Sequence, residues 1–232
     1  SPVWKDNPSN VPPAWTNIFS QSTQVSHTTF KATEPSQVTA GTNDTTFVFY
    51  TFELNYDYDE FPTFTSFAID NVTYHSLPPI ITLTIARPDG REILLYRHVV
   101  LGPTPGETMP ISRYTEAPHR VYLSGDDTVL FNTADYLRKD FGLDIATSEL
   151  RGMIDKVIFG NPTGEGQDFD LLQGTYNIIA TARTYHADDN IGEVTFVLGG
   201  SVYGFMGTDS QGRDLATGLL FGFPIALLIG LT

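Results

Sequence analysis

The chain has 232 residues, no cysteine, 13 Lys and Arg against 27 Asp and Glu, and a formal net charge of −14. That length can bury a sizeable core in one large domain or two small ones, while the negative balance opposes binding to nucleic acid or to anionic lipid headgroups through a basic patch. Without cysteine there is no disulfide, thiolate metal site or cysteine nucleophile, and 16 Phe and 11 Tyr among many Thr and Val favour strands.

Residues 1–19 form a lead-in rich in proline, with Pro2, Pro8, Pro12 and Pro13 holding it extended as far as Trp15. Trp4 and Trp15 suit either a membrane interface or plain packing on the domain. Residues 20–43 are polar, a loop or the edge of a sheet. From Thr46 to Tyr56 apolar and polar residues alternate, with Val48, Tyr50, Phe52, Leu54 and Tyr56 on one face, which predicts a core strand. Asp57, Asp59 and Glu60 follow as the best candidate ligands for a hard cation, although they lack the spacing of an EF-hand loop. An aromatic stretch, Phe61, Phe64 and Phe67, is broken by Pro62. Ile80–Ala86 and Glu92–Val100 flank the turn residues Arg87-Pro88-Asp89-Gly90 and predict a hairpin.

Prolines and glycines between Gly102 and Pro118 mark a long connection. Arg120–Leu123 and Thr128–Phe131 read as short strands. Thr133 then caps a helix stopped by Gly142, and Ser148 caps a second that places Leu150, Ile154 and Val157 on one face. After a Gly-rich acidic loop, 161–170, a second hairpin is predicted from 174–185 and 193–203. Leu172-x-Gly174-x-Tyr176 at its start resembles a tyrosine corner, in which the phenol bonds back to the chain just upstream. Together these elements predict a mainly β fold, an antiparallel sandwich of Ig-like or Greek-key type over residues 20–206, with one or two short inserted helices and a C-terminal helix. Its inside should include Val48, Phe52, Ile81, Leu83, Tyr176 and Ile178.

Chemical motifs are sparse. His27, His75, His98, His119 and His186 stand singly, with no H-x-x-x-H or H-x-H pair, so a zinc site requires convergence over long range. Residues 160–166 lack the Lys-Ser or Lys-Thr ending of a phosphate cradle, and no Gly-x-Ser-x-Gly elbow is present. No catalytic, cofactor or metal residue is assigned, and a non-enzymatic role is expected. Asn43 and Asn71 head Asn-x-Thr sequons.

The final segment, 207–232, opens with Gly207-Thr208-Asp209-Ser210-Gln211-Gly212-Arg213-Asp214, and the 18 residues after Asp214 carry no charge. A helix is predicted from about Ser210, capped by Asp209 or Ser210 and with Asp214 near its positive end. Eighteen residues fall short of the roughly 20 a membrane span needs, so the natural chain is expected to continue past Thr232 and to begin before Ser1. Gly207, Thr208, Asp209, Gly212, Arg213 and Asp214, followed by Thr217, Leu219, Gly222, Leu227, Leu228, Ile229 and Gly230, resemble the opening of the transport domain in dipeptide/oligopeptide ABC importer permeases of the second-subunit type. The match spans about 26 residues and departs from that pattern at Gly218, Pro224 and Ala226. It implies a cell-membrane protein whose residues 20–206 lie outside the cytoplasm, inserted where the family usually has a short connection. It implies as partners a substrate-binding protein outside, another permease subunit alongside, and ATPase subunits on the cytoplasmic side that do not touch this segment. A surface-anchored binding or adhesion sandwich, and a secreted hydrolase with an unrecognised carboxylate site, stay open as alternatives.

Overall fold

The computed structural model describes residues 6–164, 166 and 168–230, with side chains described only as far as residue 222. Trp4 lies outside the described residues. The fold is mainly β and antiparallel. One sheet, sheet I, is ordered β1 (Thr28–Ala32), β12 (Asn190–Gly199), β4 (Phe64–Tyr74), β7 (Ile111–Arg113), with β8 (His119–Tyr122) also paired to β4. Sheet II is ordered β2 (Gln37–Ala40), β3 (Thr46–Tyr56), β11 (Gly174–Thr184), β5 (Ile80–Ala86), β6 (Glu92–Val99). A separate two-stranded ribbon, β9 (Gly160–Thr163) with β10 (Asp168–Leu171), forms from the predicted acidic loop. The sheets face one another across a single aromatic-rich core, in which Phe30 of sheet I meets Phe52 of sheet II at 5.7 Å between ring centroids. The Tyr50 hydroxyl crosses the same gap and donates to the Ile191 carbonyl.

Alternation sets the buried faces as expected along β3, β5 and β11, and Phe52, Ile81, Leu83, Tyr176 and Ile178 are all buried. Val48 is only partly covered, because β3 is bordered at that point by the short, exposed edge strand β2. The β5–β6 hairpin forms around residues 87–91 as predicted. The tyrosine corner also forms, with the Tyr176 hydroxyl donating to Leu172 O at 2.7 Å.

Four expectations are corrected. The predicted second hairpin does not exist: β11 pairs with β3 and β5, whereas β12 pairs with β1 and β4. Residues 185–189 therefore arch from one sheet to the other, and so do residues 75–79 between β4 and β5. Strand β4, which alternation missed, is the central partner in sheet I. Its Thr65, Ser66, Phe67, Ala68 and Ile69 are all buried, so no period of two is left to read. Thr128–Phe131 belongs to helix α1 (Asp127–Phe141), not to a strand. Asp126 caps that helix by accepting from the Thr128 and Val129 N–H groups, and Gly142 ends it at φ 69°. Finally, Ala14–Phe19 is a 3-10 helix, so the extended lead-in stops before Trp15.

Helix α1 lies along β6, where Asn132 Nδ2 donates to the edge carbonyl of Leu95 and so protects that edge from foreign pairing. The second predicted helix is broken at Gly152 (φ 82°) into α2 (Thr147–Leu150) and α3 (Ile154–Phe159), with Ser148 inside α2 and not at its cap; Leu150, Ile154 and Val157 are buried as expected. Arg87, read from sequence only as a turn residue, is buried and donates to the carbonyls of Val157, Ile158 and Gly160 at the end of α3. It also pairs with Asp89 at 3.1 Å. A buried guanidinium is tolerated where its donors are satisfied in this way.

Asp155 is buried, accepts from the Thr65 hydroxyl at 2.6 Å, and is pushed up to about 6 by that burial, against the opposing hydrogen bond. The unfolded chain releases this proton at the ordinary carboxylate value, so between about pH 4 and 6 the folded state holds more protons. The contribution of Asp155 to stability is therefore full below about pH 4 and falls as pH rises through about 6, by on the order of 3 kcal/mol. We expect urea unfolding of wild type and Asp155→Asn, compared at pH 4 and pH 7, to show the variant escaping that fall. Equal pH dependence in the two proteins would count against it.

Candidate functional site

The residues singled out by the permease-like motif form a junction with the lead-in. Pro12 and Pro13 keep the chain extended after a bend at Ser9 and Asn10 (φ 55°), and the prolines remove N–H groups, leaving carbonyls to accept and the few remaining amides to donate. Tyr203 N donates to Pro12 O, Ala14 N to Gly204 O, Thr208 N to Val11 O and Asn10 N to Asp209 O, all between 2.8 and 3.0 Å. Side chains close the gaps: the buried Thr208 hydroxyl donates to Pro8 O at 2.8 Å and accepts from Val11 N at 3.2 Å, while Asn7 Nδ2 donates to Gly212 O at 3.0 Å.

This close approach explains the glycines. Gly207 sits at φ 74°, and a Cβ there would press into the Val11 carbonyl; Gly212 sits at φ 73°, where a Cβ would lie 3.0 Å from Asn7 O. Asp209 is not a helix cap, as expected from sequence, but a loop fastener that accepts from Gln211 N, Arg213 N and Arg213 Nε. The Arg213 backbone N–H first, then the Arg213 side chain and the Gln211 N–H, hold its carboxyl below the usual range against a smaller effect of burial. The cap is Asp214, which accepts from Ala216 N and the Thr217 hydroxyl and starts helix α4 at Leu215, five residues later than expected. Gly222 and Gly230 lie within α4, and a Cβ added at Gly222 would meet nothing described within 4 Å beyond the helix's own backbone.

Apolar side chains gather at this junction. Trp15 Nε1 donates to Phe205 O at 2.9 Å, and the Trp15 ring meets Phe19 edge-on at 6.3 Å. Phe19 is 81% exposed, Phe205 75% and, on α4, Leu220 72%. Helix α4, Leu215–Gly230, has 16 residues and a length of about 24 Å. No helix among the described residues is long and apolar enough to cross a membrane. The side chains of Phe223, Ile225, Leu227 and Leu228 lie outside the described ones.

The acidic turn at residues 57–60 has a mechanical role. Asp59 accepts from Thr23 N at 2.7 Å, and Glu60 accepts from Val25 N and from the Ser201 hydroxyl, fastening the β3–β4 connection to the strand ends beside the junction. Asp57 is exposed and does not converge with them on a cation among the described residues. On the outer face of sheet I, a polar groove of about 530 Å³ is lined by Asp6, Arg120, Lys31, Glu193, Asp70 and neighbours. Four of its charges form two pairs, Lys31 with Glu193 at 2.8 Å and Arg120 with Asp6.

The histidines are less scattered than their sequence positions suggest. His98 and His119 stack at 3.8 Å, each bonded to a tyrosine hydroxyl, Tyr114 and Tyr96 respectively, and burial lowers both. His27 is enclosed by Phe64 and Tyr203 and drops to about 4 through burial. His75, His186 and Asp189 meet at the opposite end of β12 from the junction. Comparison with family models, with curated proteins and with solved structures gave no match.

Thr208→Val removes a buried donor and acceptor whose partners stay in place, and should cost about 1–3 kcal/mol. Ending the chain after Gly207 deletes the same contacts, and should lower Tm by about 4 °C or more, whereas ending it after Asp214 should leave Tm within about 2 °C of wild type. Calorimetric unfolding of the three forms checks this. Equal Tm values for the two truncations would show that the junction does not support the sandwich.

Proposed function

We propose that this chain carries the extracytoplasmic domain of a peptide-type ABC importer permease, and that the domain positions a substrate-binding protein at the membrane for solute import. The observation that supports this most is the junction: residues that resemble the permease motif fasten the start and the end of the sandwich together at the root of an uncharged apolar helix. A domain inserted between two membrane segments must bring its ends to one place. A permease subunit and cytoplasmic ATPase subunits complete the assembly on this reading.

The domain's role is interaction, not chemistry. Tethering at the membrane raises the effective concentration of a partner, so a modest interface suffices. The net charge of −14 would speed encounter with a basic patch on that partner and make association sensitive to salt.

Replacing residues 20–202 with a short flexible linker in the full transporter tests the proposal while keeping the segment from 203 onward. We expect uptake and binding-protein-stimulated ATP hydrolysis to fall at least fivefold, with basal hydrolysis retained. Unchanged uptake and stimulation would overturn the docking role. Cleavage of a peptide or glycan by the full chain would replace it with the hydrolase reading.

A further inference from the structure

The two arches that cross between the sheets at the end remote from the junction carry His75 on one and His186 with Asp189 on the other. These three offer ligand atoms within 4.8 Å of one another, and among the described residues they are the group of three such side chains that does so. The backbone arrangement is built around the carboxylate. Asp189 has a fully buried side chain, and its Oδ1 accepts from His75 N at 2.8 Å while its Oδ2 accepts from Tyr185 N at 2.9 Å and His186 N at 3.0 Å. Both histidines are thus placed by hydrogen bonds from their own backbones to the same carboxylate. The Ser76 hydroxyl, donating to Tyr185 O at 3.2 Å, ties the arches together a second time.

The imidazoles then lie side by side, 5.1 Å between centroids and 25° from parallel. His75 Nδ1 is buried, makes no hydrogen bond, and faces Asp189 Oδ1 from 3.5 Å. An orphaned ring nitrogen beside a fixed carboxylate oxygen is costly in an apolar setting. It is also what a metal site looks like before the metal enters: tetrahedral zinc, with ligand bonds of about 2.0–2.2 Å, holds neighbouring ligand atoms roughly 3.3 Å apart. Asp189 Oδ1 keeps a lone pair beyond its single backbone bond. The His186 ring, 46% exposed at its side chain, accepts from Asp188 N through Nδ1 at 3.2 Å and so offers Nε2 as its ligand atom.

We propose that His75, His186 and Asp189 form a binding site for a divalent transition metal, zinc first, that staples the two arches together. Two imidazoles and one carboxylate suit zinc and its neighbours, whereas calcium and magnesium take oxygen ligands. Three protein ligands leave the fourth position to water or to a side chain of a partner. The staple joins residues about 110 positions apart in sequence and pins the crossover that separates β11 from β12. Because β12 spans ten residues, the metal lies about 33 Å from the junction. The site stands independently of the transporter reading.

The test is zinc titration of the chelator-treated full chain by calorimetry, with cobalt(II) absorption as a second readout of four-coordinate geometry. We expect one equivalent of zinc to bind with micromolar or tighter Kd, and Tm to rise by about 5 °C or more at 100-fold excess over Kd. His186→Ala removes an exposed ring and leaves the fold intact, and His75→Ala removes the half-buried one; each should weaken binding at least tenfold and abolish the cobalt spectrum. His98→Gln, at the stacked pair elsewhere in the sandwich, should change affinity less than twofold. No saturable zinc binding by the wild-type chain, a loss below tenfold in either alanine variant, or loss of binding in His98→Gln would overturn the proposal.

Discussion

The exchange of hydrogen bonds between residues 7–14 and residues 203–212 is the constraint on which the arrangement of this protein depends. Without it the sandwich would have a loose polar leader at one end and an apolar helix on a glycine hinge at the other. With it, Thr208 is buried between Pro8 and Val11, the loop 208–214 is closed by Asp209 and Arg213, and α4 leaves from a fixed point. Pro8, Pro12 and Pro13 contribute by fixing their own φ, so that less conformational entropy remains to be lost when the leader docks.

From that junction, order passes into the core through short side-chain links. Glu60 and Asp59 fasten the β3–β4 connection to residues 23–25 and to Ser201. Next to this connection, Tyr56, Phe159 and Tyr176 form a packed aromatic group with centroid separations of 4.6 to 5.9 Å, and both tyrosine hydroxyls find backbone carbonyls a few residues away, Glu60 O and Leu172 O. Burial and neighbouring acidic groups push Tyr56 far above its ordinary value, which keeps it a neutral donor. Arg87 completes this end by satisfying the last carbonyls of α3. The opposite end is closed by other links, in which the Tyr74 hydroxyl and Arg113 Nε donate to Leu101 O and Arg113 Nη2 donates to Gly102 O. There the arches are held by Asp189 and Ser76, and the histidines stand where a metal can reinforce them.

The proposed function uses this difference between the ends. One end is fastened by the junction and continuous with an uncharged helix; the other carries the His75, His186 and Asp189 group. The proposed transporter role uses the first end for placement, and it leaves the second for contact with whatever lies farther from the membrane.

Local chemistry written in the sequence determined much of the sandwich. Alternation along residues 46–56, 80–86 and 174–184 assigned buried faces that the structure keeps, because a strand with one face on the core has only one register that hides its apolar side chains. The turn at 87–91, the stop at Gly142 and the tyrosine corner are likewise short-range devices, each complete within a few residues. Strand β4 was illegible because burial along Thr65–Ile69 erases the periodic signal, and the start of α1 was hidden by Thr128–Phe131, whose β-branched and aromatic residues also fit a strand. What only the tertiary structure decided were the long-range pairings. A link of five residues serves a hairpin or an arch equally well, and β11 and β12 diverge because each finds longer ladders elsewhere, with β3 and β5 or with β4 and β1. The motif glycines could be named from sequence, but their reason, the backbone of Asn7 and Val11 pressed against them, lies some 200 positions away. His75 and His186 meet for the same reason: the arches that carry them were set side by side by the sheets, and no spacing along the chain records that.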